Sequence, residues 1–369
     1  MTYEVLTAYG DDAGRWSSLI DALPAERRDI HFLPEYYRIY QESYGFVGHL
    51  AVYRDDDGFV VQPFIRRSLA DLPFLKSVSE AQKYTDIANA YGFGGPVSNV
   101  PDPGGGAALY QRFAAAHERW CEKEAIASEF SVLHPFFAQH QLAIIGGVLK
   151  TQHQKDVVYV NLDGGESGLL ESLNRGHRSS INKARREGVD VIRVEPTSQN
   201  LEIFNQLYHR TMERRRAAER WFLSETFFAH CCHQLGSRRS SLFFAKVADR
   251  PVCAYLLIHD FDTAYYFFAG SADDNPELRA NNLTMFETAR WAQLAGYRRY
   301  HLGGGVTNRP DDSLLRFKSG FSDQRSPLYT CFCVRNAQVY NQLGEYKKAH
   351  ERATLGAEST SDFLPIYRR

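Results

Sequence analysis

Runs of aromatic and β-branched residues, bounded by Gly, Asp and Asn, alternate along the chain with stretches of helical spacing. The former are strand signals and the latter helix signals. Pro34 to Tyr44 (PEYYRIYQESY) predicts a short aromatic helix. His49 to Arg54 and Phe59 to Arg66, joined by Asp55-Asp56-Asp57-Gly58, predict a hairpin, because an Asp-Gly turn between apolar runs favours that reversal. The loop Tyr91-Gly92-Phe93-Gly94-Gly95-Pro96 excludes helix and predicts close approach to other backbone or to a ligand. Pro101 to Gly106 reads as turn, Ala107 to Lys123 as helix and Glu129 to Leu133 as strand.

The second half repeats this grammar. Asp156 to Leu162 predicts a strand, and Asp163-Gly164-Gly165 turns it into a basic helix; another helix lies near Phe204 to Glu219. A meander follows through Leu242 to Ala248, Val252 to His259 and Tyr265 to Gly270. A helix capped by Asn281 or Asn282 then carries Met285, Ala289, Ala292 and Gly296 on one stripe of mostly small residues, suited to lying close on a sheet. Strand Arg298 to Leu302 ends at Gly303-Gly304-Gly305, where a backbone without side chains admits another backbone or a ligand. Helix, hairpin, loop, helix and strand thus occur twice without evident identity between the halves. That repeat predicts an α+β protein of two similar domains with mixed, mostly antiparallel sheets and flanking helices. The expected boundaries are 1–160 and 161–345, with a tail over 346–369 and a site in the cleft between the domains.

Composition changes this picture little. With 44% hydrophobic and 24% charged residues, the chain reads as an ordinary soluble globular protein. Its net charge of -1 means that any nucleic-acid contact must come from a local patch. The opening MTYEVLTAYGDDAGRW lacks a basic segment followed by an apolar run, and no stretch is apolar for long enough to cross a bilayer, so a cytoplasmic protein is expected. The six cysteines are scattered, which fits reduced, buried thiols.

Candidate chemistry falls in three places. Arg175, Arg178, Arg185 and Arg186 lie near one helical stripe with Lys183 on its flank, and Arg214, Arg215, Arg216 and Arg220 form a second cluster. These are either solvated helix faces or phosphate contacts, since a planar guanidinium can bond two phosphate oxygens at once. Phe317-Lys318, with Asp312 upstream, could fix a positive charge at a developing oxyanion. The plainer reading is an exposed strand lysine among core neighbours. His230-Cys231-Cys232-His233 puts two histidines on one helix face, but a zinc site needs at least three protein ligands and no partner motif accompanies them. No metal is therefore expected there. The G-x-x-x-x-G-K-[ST], G-x-S-x-G and strand-to-helix G-x-G-x-x-G motifs are all absent.

Three segments resemble the Fem family of aminoacyl-tRNA-dependent peptidyltransferases, whose members carry two acetyltransferase-like (GNAT) domains. RSSINKARREGV, Arg178 to Val189, resembles the basic helix that opens their second domain. TMERRRAAERWF, Thr211 to Phe222, is similar to the segment carrying a phosphate-holding arginine, for which Arg214 is the nearest match. DSLLRFKSGF resembles their Phe-Lys pair, matching Phe317 and Lys318. No long coiled-coil insertion is present, so the likeness is to compact members.

The resemblance implies a tandem GNAT fold without a bound cofactor, in which an acceptor amine attacks the ester carbonyl of an aminoacyl-tRNA and Lys318 steadies the oxyanion. It implies Arg214, Arg215, Tyr84, Asp86, Tyr91, Asp312 and Gly304 as substrate contacts, and Arg178, Lys183, Arg185 and Arg186 as contacts to the acceptor stem. Lys76 and Lys83 are candidates for a phosphate-binding lysine of the first domain. The acceptor would be a peptidoglycan precursor or a small amine of the kind that compact relatives modify in peptide-antibiotic pathways. Two alternatives remain: an acyl-CoA-dependent N-acyltransferase of the same fold, and a non-catalytic tRNA- or nucleotide-binding module. Against coenzyme A, the loop GSADDNPELRANN is acidic where a glycine-rich pyrophosphate loop is expected.

Overall fold

The computed structural model describes residues 1–76, 78, 83–100, 106–142, 149–272, 276–307, 309, 311–358 and 364–368. The turn expected at Pro101 to Gly106 lies outside the described residues except for Gly106. Two compact units divide the chain: residues 1–154 with 328–369, and residues 155–327.

The first unit opens with β1 (Thr2–Thr7), α1 (Gly10–Asp21) and α2 (Pro34–Tyr44), the last of these started by a proline whose missing N–H costs nothing at a helix N-terminus. The predicted hairpin is β2 (Val47–Asp55) and β3 (Gly58–Ser68), closed where Asp55 faces Gly58. β4 (Thr85–Ala88) and the short β5 (Val97–Ser98) both pair antiparallel with β3. Helix α3 (Ala107–Lys123) then crosses to β6 (Ile126–Val132), which lies parallel to β4. Phe64, Ile87, Phe113 and Ile126 are buried between α3 and the sheet.

The second unit starts within β7 (Thr151–Asn161) and continues through α4 (Gly165–Ser172), α5 (Arg175–Arg186), β8 (Asp190–Val194), α6 (Ser198–Arg214) and α7 (Glu225–Arg239). The meander is β9 (Ser240–Val247), β10 (Arg250–Asp260) and β11 (Thr263–Ser271), with β8 antiparallel on β9. Helix α8 (Ala280–Leu294) crosses to β12 (Arg299–Gly303), parallel to β11, and β7 completes the sheet antiparallel to β12. Helix α9 (Ser313–Ser319) follows. The core beneath α8 contains Val160, Tyr255, Leu257, Met285, Ala289, Ala292 and Leu302. Each of the larger aliphatic side chains, Val160, Leu257, Met285 and Leu302, contributes on the order of 1.5–3 kcal/mol on burial.

The chain then returns to the first unit. β13 (Arg325–Val334) pairs antiparallel with β6, and α10 (Ala337–Leu355) packs Val339, Tyr340 and Leu343 with Leu69, Leu75, Ala127 and Tyr367. The expected tail is therefore partly core: Tyr367 is fully buried, and its hydroxyl lies 2.6 Å from Ser128 Oγ. Each unit's parallel strand, β6 or β12, is flanked by a strand from the other end of the 155–327 segment. Local alternation cannot reveal that choice of partner.

Two expectations of detail are corrected. The residue capping α8 is Arg279 (φ 54), not Asn281 or Asn282; Asn282 is buried in the first turn, and Asn281 accepts a bond from Tyr255 Oη at its carbonyl (3.2 Å). Lys318 lies on a helix, not a strand. Among the described residues no helix is long and apolar enough to cross a membrane.

Candidate active site

The triple glycine, helix α9 and β7 bring two lysines onto one turn of the second unit. Asp312 caps α9: Oδ1 accepts from the Leu315 amide (2.9 Å), and Oδ2 accepts from the Thr307 amide (2.9 Å) and hydroxyl (3.0 Å). Burial works against its charge, but the Leu315 and Thr307 bonds prevail and hold the carboxyl at about 2. A helix of seven residues needs such an anchor, because its unpaired amides are a large share of its backbone.

That cap aims Lys318 inward. The side chain is 5% exposed, and Nζ donates to the Gly304 carbonyl at 2.8 Å and lies 5.5 Å from the centroid of the Tyr266 ring. Lys155 of β7, which sequence reasoning missed, donates to the next carbonyl, Gly305, also at 2.8 Å. A side chain added to this turn would have to displace Lys155 or Asp312. A Cβ on Gly304 would stand 2.8 Å from Lys155 Cδ, and one on Gly305 would stand 2.6 Å from Asp312 Oδ1. Burial, reinforced by the charges of Lys155 and Arg215, pulls the Lys318 ammonium down to about 7 against the opposing pull of Asp312. Burial also lowers Lys155, again opposed by Asp312.

The two arginines expected at the substrate part company. Arg214, ending α6, donates to the Ser271 carbonyl (3.3 Å) and hydroxyl (3.0 Å), so its fork is engaged by the end of β11. That junction exists because Gly270 has no side chain: a Cβ there would meet Leu207 C and Tyr208 N at 2.3 Å. Arg215 is exposed, and its charge is the one that bears on Lys318. Phe317 contributes packing and a backbone anchor. Its ring lies 5.3 Å from Phe321, and its carbonyl accepts from His177 Nε2 at 2.9 Å.

The basic helix α5 spends much of its charge within the unit. Lys183 pairs with Glu277 (2.9 Å), Arg185 with Glu287 (2.8 Å), and Arg178 donates to the carbonyls of Leu173 and Glu171. Arg175 and Arg186 are exposed at its two ends, so two of the expected phosphate contacts are already ion-paired. Isolated pairs at such exposure are worth about 0–1 kcal/mol, and a phosphate can compete for them.

The remaining candidates belong to the first unit. Asp86 is fully buried and ion-paired with Arg67 (2.9 Å) and Arg368 (2.8 Å), so its carboxylate is engaged within the first unit. Tyr84 is half-buried against Leu69 and Leu75, while Tyr91 is 46% exposed with its carbonyl accepting from Tyr36. Lys76 and Lys83 are exposed. Cys231 and Cys232 are buried in α7.

Among the described residues, His117, Cys121 and Glu129 bring ligand atoms within 4.8 Å of one another. The Glu129 carboxylate there already takes Arg335 Nη2 at 2.6 Å, and burial pushes the Cys121 thiol up, so the three side chains form a buried polar cluster engaged by an arginine.

Comparison with known proteins bears on the fold. Residues 172–319 match a family model described as an acetyltransferase (GNAT) domain. Among solved structures, FemX is similar over 93% of this chain and 99% of its own, with a TM-score of 0.69 at 14% identity. A conserved protein of unknown function from Bacteroides thetaiotaomicron is similar over 87% of this chain and 97% of its own, with a TM-score of 0.55 at 12% identity. No curated protein matches the chain in sequence. The fold is GNAT-like, with mostly antiparallel sheets and flanking helices.

Proposed function

We propose that this chain is an acyltransferase, and that its donor is an aminoacyl-tRNA. The observation that carries the reading is the buried Lys318 ammonium on the Gly304 carbonyl, placed by a capped helix and surrounded by two further cations. Aminolysis of an ester runs downhill, so the demand on the protein is positioning and stabilisation of charge on the carbonyl oxygen. A cation held in a dry site answers that demand. The GNAT-domain match, which reaches Ser319, and the FemX-like fold support the same reading. The exposed Arg175, Arg186 and Arg215 would meet the phosphates of the acceptor stem, and the acceptor would be a small amine or peptide amine.

A second reading, acyl-CoA as donor, is favoured by the acetyltransferase description of the matched domain and by α8, which begins without a side-chain cap. The loop weighed against it, GSADDNPELRANN, includes residues 273–275, which lie outside the described residues. Transfer from a pool of radiolabelled aminoacyl-tRNAs to amine acceptors, with and without ribonuclease, separates the two. Ribonuclease-sensitive transfer of an amino acid is expected. Label moving only from acyl-CoA would replace the donor.

A further inference from the structure

Acyl transfer to an amine needs a proton removed from nitrogen, and the carboxylate whose charge bears on Lys318 is already engaged. The acid whose charge bears on it is Asp312, and that carboxylate is consumed in capping α9 and bonding Thr307. The cations whose charge bears on Lys318 are Lys155 and Arg215, and Asp156, beside Lys155 on β7, brings its backbone carbonyl to 3.2 Å from the position a Gly304 Cβ would take. Lys155 projects from β7, Arg215 follows α6, and the Tyr266 ring lies over Lys318 from β11. The His301 ring on β12 is 3.9 Å from the position a Gly303 Cβ would take, and Lys318 Nζ is 3.2 Å from that same position. His177 reaches the neighbouring Phe317 carbonyl from α5.

We propose that Lys155 is the positioning residue for Lys318: a second ammonium on the next carbonyl of the same turn lets the buried Lys318 amine release its proton in the resting site and take one from the attacking nucleophile. Geometry supplies the coupling. Both ammonium groups are fixed at 2.8 Å on consecutive carbonyls, 304 and 305, and Gly304 leaves room for the Lys155 stem. Two like charges held on adjacent peptide units of one turn disfavour the doubly protonated state, more so where one of them is buried.

The use of this pair in chemistry rests on the acyl-transfer reading, and the step balances without a co-reactant. The acceptor nitrogen forms its bond to the carbonyl carbon and passes a proton to the Lys318 lone pair. The resulting ammonium faces the oxyanion, then returns the proton to the leaving oxygen as the C–O bond breaks. One lysine serves as base, electrostatic partner and acid in turn.

Lysines labelled with 13C at Cε, titrated by NMR in the whole protein, test the coupling without any substrate. Wild type should show one lysine inflecting at about 7, missing in Lys318→Met. Lys155→Met should move that inflection up by roughly one unit or more, and Lys155→Arg, which keeps the charge, should hold it low. The inflection of kcat/KM against pH should move in parallel, which a merely structural role for Lys155 would not cause. A Lys318 inflection in the ordinary lysine range, or one unmoved by Lys155→Met, overturns the proposal. Titration that shifts as stated, with no transfer from any acyl donor, overturns the acyl-transfer reading while the coupled lysines stand.

Discussion

His177 on α5 donates from Nε2 to the Phe317 carbonyl on α9 at 2.9 Å, and its ring meets Phe321 edge-on at 4.5 Å. One imidazole thus ties the basic helix to the helix that carries Lys318. His177→Leu should keep most of the packing and leave the Phe317 carbonyl unpaired, lowering stability by about 1–2 kcal/mol in urea unfolding. Burial lowers the His177 basicity, so its neutral form belongs to the fold. Its contribution is complete above its ordinary value of 6.5 and is lost as pH falls below it, so the gap between wild type and variant should narrow in mild acid.

Lys318 should cost stability at neutral pH. Its folded value of about 7 lies below its ordinary 10.5, so between those values the unfolded chain binds more protons and stability rises with pH. From pH 7 to 9 the gain attributable to this group is about 2 kcal/mol. Lys318→Met should remove that slope, raise the neutral-pH unfolding midpoint and abolish transfer. A variant with wild-type slope would show that Lys318 is not the buried base described here.

Asp312→Ala removes the cap of α9 and the clamp on Thr307 together, with an expected loss of about 2 kcal/mol. Asp312→Asn keeps a capping oxygen and should recover part of it. The wild-type contribution is present above the ordinary carboxyl value of 3.8 and is lost as pH falls through about 2, so the variants should differ from wild type throughout the neutral range. Thermal unfolding at pH 7 and transfer assays on the same samples would show whether the loss of stability and of activity go together.

Gly270→Ala places a methyl 2.3 Å from the backbone of Leu207 and Tyr208, so α6 must move off β11. The expected cost is about 3 kcal/mol, with Arg214 displaced from Ser271. Retention of the wild-type unfolding midpoint would mean that the helix can slide freely. A conservative change elsewhere on β11, such as Phe267→Leu, should cost less.

Local signals carried the elements well. Helices Pro34–Tyr44 and Ala107–Lys123 match their expected ends, and the Asp-Gly hairpin and the three-strand meander lie where alternation put them. The failures were tertiary. Lys155 sits in the polar run QHQKD ahead of an apolar stretch, and nothing in that spacing says that its stem passes over Gly304. The ion pairs of Asp86 are equally invisible in spacing, because its partners, Arg67 and Arg368, stand 19 and 282 residues away. Lys318 read as a strand lysine, whereas the Asp312 cap starts a helix that carries it and ends at Ser319.

The return of β13 and α10 to the first unit has a consequence for synthesis on the ribosome. Residues 155–327 emerge as one uninterrupted stretch, so the second unit can close its core while the chain is still growing. The first unit begins earlier but must wait: β6 has no antiparallel partner and Leu69, Leu75 and Ala127 no cover until residues 328–367 are made. During that interval the first unit presents an open strand edge and bare apolar surface to the cell. Of the two units, the one entered first is the one that finishes last, and chaperone binding and early proteolysis should concentrate on it.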